Sequence, residues 1–176
     1  RSHSKFLRSG KRYASLFDLK KTDYKGWAHG LKRAGYATSP TYAQALINMI
    51  DNTRSSLFIQ AYSFTSAPIA KAVVAAKKRG VDVEVIVDKS QNSERYTVVT
   101  TLTNAGIPVF VDTKPAIAHN KVMIFDQTSV FTGSFNFTAS AQKRNAENGI
   151  VIAGDASIVK SYSSNWLARY QQSTKI

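Results

Sequence analysis

Residues 57–87 read LFIQAYSFTSAPIAKAVVAAKKRGVDVEVIV, and the order of apolar and polar positions in this stretch decides the fold class. The opening run, LFIQAYSF at 57–64, is apolar and aromatic and reads as a buried strand. Ser66 then stands where a helix N-cap belongs and Pro68 falls in the first turn. The helix continues through AKAVVAAKK until Gly80, after three basic residues, supplies a stop. A second strand, VDVEVIV, covers 81–87. Strand, helix, strand in this order predicts a parallel pair with a right-handed crossover.

Working outward, a helix is predicted over 94–102, ended by Asn104, Ala105 and Gly106, and 108–111 returns as a short strand. Two further strands, 122–125 and 129–132, are joined by a turn at Asp126 and Gln127, and 149–153 is another. Upstream, 41–52 forms a first helix with Tyr42, Leu46, Ile47 and Ile50 on its apolar face. Downstream, the last helix begins near Asp155 and carries Ile158, Val159, Tyr162, Trp166 and Tyr170 at helical spacing, a face suited to packing on the sheet. The expected class is α/β, a mixed, largely parallel sheet flanked by helices, preceded by a short basic helical segment.

A chain of 176 residues holds one well-packed domain and an appendage rather than two full domains. It has no cysteine, which removes disulfides, thiolate metal sites and cysteine nucleophiles. No apolar run reaches the roughly 20 residues that span a bilayer, so stable membrane insertion is not expected. No charged start followed by an apolar signal core is found at the beginning of the sequence, and the expected location is periplasmic or secreted. Lys and Arg outnumber Asp and Glu 24 to 11, a net charge of +13, which draws polyanions by long-range attraction. Residues 1–50 carry ten basic and two acidic side chains, so the excess is concentrated at the front. Nucleic acid or anionic lipid is the expected partner.

The chemistry concentrates in two short segments. His119, Lys121 and Asp126 fit the pattern HxKxxxxD, and Gly133-Ser134-Phe135-Asn136 follows seven residues after Asp126. Residues two apart on a strand share a face, so His119 is expected beside Lys121, and Ser134 beside Asn136 on the neighbouring strand. An imidazole can attack phosphorus or give up a proton, an ammonium offsets phosphoryl charge, and hydroxyl and amide groups bind the non-bridging oxygens. An isolated histidine is more often a structural, hydrogen-bonded residue; the combined pattern is what lifts this one. Glu147 stands just before the strand at 149–153, where a carboxylate beside an imidazole would fix its tautomer and stabilise the cation. By strand parity Asp126 faces away from His119, which assigns it a structural role.

Together the HxKxxxxD and GSxN patterns resemble the signature of the phospholipase D superfamily. The stretches AYSFT, AKAVVAAKKRGVDVEVIVD, NAGIPV and TGSFNFT are similar to its small bacterial endonucleases, over 45–176. The resemblance implies catalysis by His119, Lys121 and Glu147, phosphate binding by Lys121, Ser134 and Asn136, and structural roles for Asp126 and Gly133. It implies neither metal nor cofactor. Most members carry two HxK patterns in one chain. Here there is one, since His3 and Lys5 spell HSK without the Asp or the GSxN. Single-pattern members form homodimers with a shared active site, and the same is implied for this chain, with one His119 forming a phosphohistidine and its twin handling protons.

The front differs. The stretch KGWAHGLKRAGYATSPTYAQALINMI at 25–50 resembles the closing portion of a bacterial glucosaminidase domain, which sets the expected boundary at 1–44 and 45–176. Phe6, Leu7, Tyr13, Leu16 and Phe17 have only irregular helical spacing. Glycoside hydrolysis needs a pair of carboxylates, and residues 1–50 hold only Asp18 and Asp23, which read as solvated charges. The small nucleases also place a strand before their first helix, and no run here matches it, so an exposed sheet edge is expected to affect folding or dimer pairing. The leading function is a metal-independent, non-specific endonuclease acting on DNA, with RNA open to the same chemistry, because no base-reading element is evident. The alternatives are a phospholipase acting on anionic lipid such as cardiolipin, and a catalytically silent module that binds cell wall or nucleic acid.

Overall fold

A computed structural model of the chain describes residues 11–20, 23, 26, 41–92 and 97–176. The chain divides into two compact units, Arg1–Ser39 and Pro40–Ile176. In the first, Lys11–Asp18 forms a 3-10 helix in which Leu16 is buried and Phe17 exposed. Asp18 and Asp23 are both exposed, and the Gly26 N–H donates to the Asp23 carboxylate at 2.8 Å. Phe6, Leu7, the Tyr13 side chain and the stretch 27–40 lie outside what the structure describes.

The second unit is a seven-stranded sheet with helices on both faces. In chain order its elements are α1 (Thr41–Asn52), β1 (Ser56–Ala61), α2 (Ala67–Lys78), β2 (Asp82–Asp88), α3 (Val99–Asn104), β3 (Val109–Asp112), β4 (Lys121–Phe125), β5 (Ser129–Gly133), α4 (Ala139–Lys143), β6 (Gly149–Ala153), α5 (Ala156–Gln172) and β7 (Thr174–Lys175). The strand order is β6-β5-β4-β1-β2-β3-β7. The β1-α2-β2 unit forms the expected parallel pair, and β3 adds in parallel to β2. The other four pairings, β1 with β4, β4 with β5, β5 with β6 and β3 with β7, are antiparallel. The sheet is therefore α/β and mixed, but antiparallel pairings outnumber parallel ones: β4 and β5 form a tight hairpin, β6 returns antiparallel to β5 after α4, and β4 and β7 add antiparallel to β1 and β3.

Alternation along β4 divides the core. Met123 and Phe125 join the cluster under α1, α2 and α3, whereas Val122 and Ile124 join Trp166 and Val159 under α5. Helix α1 buries Leu46 and Ile50 as its pattern requires. On α5, Trp166 stacks on Phe58 with ring centroids 4.6 Å apart, and its indole N–H donates to the Ile59 carbonyl at 3.3 Å. Ile158 departs from the expected face and is exposed.

Other differences have local causes. Strand β1 ends near Ala61: the Tyr62 N–H still reaches the Asn120 carbonyl in the register of β4, but Phe64 donates to the Gln91 side chain, and Thr65 and Ser66 to the Phe137 carbonyl. Ser66 occupies the N-cap of α2, yet its side chain makes no capping bond and its hydroxyl is buried without a partner among the described residues. Helix α3 starts five residues later than predicted: the Val98 N–H donates to Phe64 and the Thr97 hydroxyl accepts the Val99 N–H, so the helical ladder begins only beyond them. Residues 94–96 of that prediction lie outside the described residues. No pattern signalled β7, whose two residues pair with Phe110 and Val111.

Candidate active site

Both ends of β4 carry residues of the HxKxxxxD pattern. At the far end, Asp126 and Gln127 take positive φ (51° and 54°), the geometry of a tight two-residue hairpin turn. The Asp126 carboxylate accepts the N–H groups of Arg54, Ser55 and Ser56 and the Ser55 hydroxyl, at 2.7–3.1 Å. Burial pushes this carboxyl up, but the bonds from Ser55, Ser56 and Arg54 outweigh it and hold it below the ordinary value. Asp126 thus ties the hairpin to the α1–β1 junction.

The near end carries the polar groups. His119 precedes β4 rather than lying in it, and its ring is exposed; Lys121 is the first residue of the strand and only 6% exposed. The Lys121 ammonium donates to the His119 carbonyl at 3.0 Å and lies 5.1 Å from the centre of the Tyr62 ring. That ring also packs against the His119 imidazole, centroid to centroid 4.5 Å. Tyr62 was not singled out by sequence. The signal available was its place, an aromatic residue with a polar tip just beyond a buried strand.

Ser134 and Asn136 also lie past the end of their strand, since β5 closes at Gly133. Alternation survives the break: Phe135 and Phe137 are buried, while Ser134 is exposed and Asn136 half-buried. Gly133 sits at φ 153°, where a Cβ would collide with the Asn148 carbonyl oxygen, so the close approach of β5 and β6 here requires glycine. The Ser134 hydroxyl donates to the Glu147 carboxylate and accepts the Asn148 N–H at 3.0 Å. The Asn145 amide donates to the other Glu147 oxygen at 2.9 Å. Glu147 is therefore half-buried and bound to Ser134 and Asn145, not to the imidazole as the tautomer argument expected.

Electrostatics joins the two sets. Burial lowers the affinity of Lys121 for its proton, and the negative charge of Glu147 partly restores it, leaving the ammonium below its ordinary value. The Asn136 carbonyl oxygen is buried without a partner among the described residues. The arrangement presents an exposed imidazole, an ammonium with few competing partners, a hydroxyl and an amide, which suits an anion carrying several oxygens. Among the described residues, no group of three or more His, Cys, Asp or Glu side chains could hold a metal ion.

Comparison with known proteins places this geometry. Residues 46–169 match the family model described as cardiolipin synthase, PLD-like domain. Residues 1–55 match the model for mannosyl-glycoprotein endo-beta-N-acetylglucosaminidase. A phospholipase D of Rickettsia bellii is 45% identical over 124 residues, 70% of this chain and 61% of that protein. A mitochondrial cardiolipin hydrolase of Xenopus tropicalis is 32% identical over 77% of this chain and 63% of its own length. The chain thus spans less than two thirds of either relative. The crystal structure of Nuc from Salmonella typhimurium, titled a phospholipase D family member, superposes with a TM-score of 0.72 at 39% identity, covering 76% of this chain and 89% of that one.

Proposed function

The chain belongs to the phospholipase D-like family, and from that premise we propose that it is a phosphodiesterase that cuts the backbone of nucleic acid without sequence preference and without a metal ion. The observation that carries this reading is the exposed His119 ring standing beside a nearly buried ammonium that already holds the His119 carbonyl. The +13 net charge and the resemblance to small bacterial endonucleases favour a polynucleotide as the source of the phosphodiester.

In this proposal a ring nitrogen of His119 attacks phosphorus, forming an N–P bond as the bond to the leaving oxygen breaks. That oxygen takes a proton from the imidazolium of His119 of the partner subunit. The now neutral partner ring then accepts a proton from water, whose oxygen attacks phosphorus and releases His119. Lys121, Ser134 and Asn136 hold the non-bridging oxygens where charge builds up. Glu147 fixes Ser134 and offsets part of the effect of burial on Lys121. An interface near the site is supported by β6, an edge strand next to Glu147 whose Ile150 and Val151 are 56% and 47% exposed.

The test is to incubate the protein with plasmid DNA and, separately, with cardiolipin vesicles, both in excess EDTA. Nicking of DNA that survives EDTA and disappears in His119→Ala is the expected result. A specific observation keeps a second reading in view: relatives bear the names phospholipase D and cardiolipin hydrolase. Turnover of lipid with intact plasmid would replace the first reading by that one. For the dimer, sedimentation of the active protein should give twice the chain mass; a fully active monomer would refute the shared site.

A further inference from the structure

Eight residues, 113–120, connect β3 to β4 with no helix or strand among them, and the proposed nucleophile is the seventh. Most are exposed, including Lys114 and Ile117, so the loop gains little from the core. A nucleophile nevertheless has to be held to a fraction of an ångström. The three peptide groups around His119 show how. The Ala118 N–H donates to Asp88 Oδ2 at 2.7 Å, the His119 carbonyl accepts Lys121, and the Asn120 carbonyl accepts the Tyr62 N–H at 2.8 Å.

Of these holds, the one from Asp88 comes from an acidic side chain that is 3% exposed at the end of β2. Its other oxygen accepts the Ser90 N–H at 2.9 Å, which fixes the carboxylate plane. Asp88 pairs in register with Asp112, whose own carboxylate is bound by Arg169 of α5, Nε to oxygen 2.6 Å. Arg169 therefore offsets the charge of the neighbouring acid and lets two carboxylates share one polar pocket with Gln60 and Ala118. A strand end that had only to be closed could use an apolar residue. A buried anion gripping the N–H one residue before an exposed imidazole does something more particular.

We infer that Asp88 is a positioning residue for His119: it clamps the loop at Ala118, so the imidazole stands against Tyr62 with its nitrogens presented to the phosphate. This rests on the reading of His119 as nucleophile, and the experiment separates the two. Asp88→Asn and Asp88→Ala are compared with Val83→Ala, which loosens the same strand at its opposite, buried end. Three quantities are measured: hydrolysis of bis(4-nitrophenyl) phosphate and plasmid DNA, melting temperature, and the NMR signals of the His119 ring, which lie in the ring current of Tyr62.

Both Asp88 variants should lose about 10–100-fold in kcat with KM within about twofold, and the His119 ring signals should shift. Val83→Ala should lower the melting temperature while leaving kcat and those signals in place. Unchanged His119 signals in Asp88→Ala would overturn the clamp, as would an equal loss of kcat in Val83→Ala. If the unaltered protein cleaves neither diester, the nuclease reading fails while the NMR comparison still decides the clamp.

Discussion

The two ends of β4 hold the two halves of one sequence pattern and use them in opposite ways. At the Asp126 end every oxygen of the carboxylate is engaged by backbone or hydroxyl donors of 54–56, and nothing is left to meet a substrate. At the His119 end three backbone groups of 118–120 are engaged while His119 itself stays exposed. One short strand thus separates a fastener from a reactive group, and spacing in the pattern reflects the length of that strand rather than a contact between its ends. Pattern membership alone does not make a residue catalytic.

This contrast is broken most severely by substitution at the reactive end. His119→Ala should reduce diester cleavage by about 10³-fold or more, the scale set by losing both nucleophile and proton carrier. Because the ring is exposed, its melting temperature should stay close to that of the unaltered protein. A large drop in thermal stability would mean that the imidazole is a structural prop after all.

Asp126→Asn should do the reverse. Asparagine tolerates the positive φ of this turn, so the variant removes charge and one acceptor without adding strain. Partial solvation keeps the loss to about 1–3 kcal/mol by denaturant melts, with kcat within about threefold. The pH dependence gives a sharper version. The folded-state carboxyl lies below its unfolded value, so its stabilisation is complete above the unfolded pKa near 4 and is lost as pH falls through the lower, folded value. The acid limb of the stability curve should therefore be shallower in Asp126→Asn. A kcat collapse with normal stability would move Asp126 into the active site.

How much of this was legible depends on the range of the forces involved. The β1-α2-β2 unit, the apolar face of α1 and the hairpin at Asp126 follow from periodicity and turn chemistry, which act over a few residues. Strand parity extends to Asp126 because β4 is regular, but not to His119, Ser134 and Asn136, each of which lies one to three residues beyond a strand end, where side-chain direction depends on tertiary bonds. Tyr62, Asp88 and β7 had no local signature. Their roles arise from partners 30 to 65 residues away along the chain, in contacts such as Asp88 with Ala118 and β7 with Phe110. Glu147 is legible by position, but its bonds to Ser134 and Asn145 cannot be read from sequence.

The placement of Glu147 makes the subtlest difference between the ends. Asp126 is held ionised by donors within its own site, whereas the proton affinity of Lys121 is raised by the charge of Glu147, which stands just before β6 on the far side of β5. Burial lowers the Lys121 pKa and Glu147 raises it, so Glu147→Gln should lower it further. If the ammonium must be charged to stabilise the phosphoryl oxygens, activity falls as pH rises through this pKa. The alkaline limb of the kcat profile should then move to lower pH in Glu147→Gln. The stability sign agrees: a lysine whose folded pKa lies below its unfolded one costs stability while charged, and the fold recovers it as pH rises between the two values. Glu147→Gln should therefore be less stable than the unaltered protein near neutrality and converge towards it in alkali. If Glu147 instead served only the imidazole, the acid limb of the activity profile would move and the alkaline limb would stay.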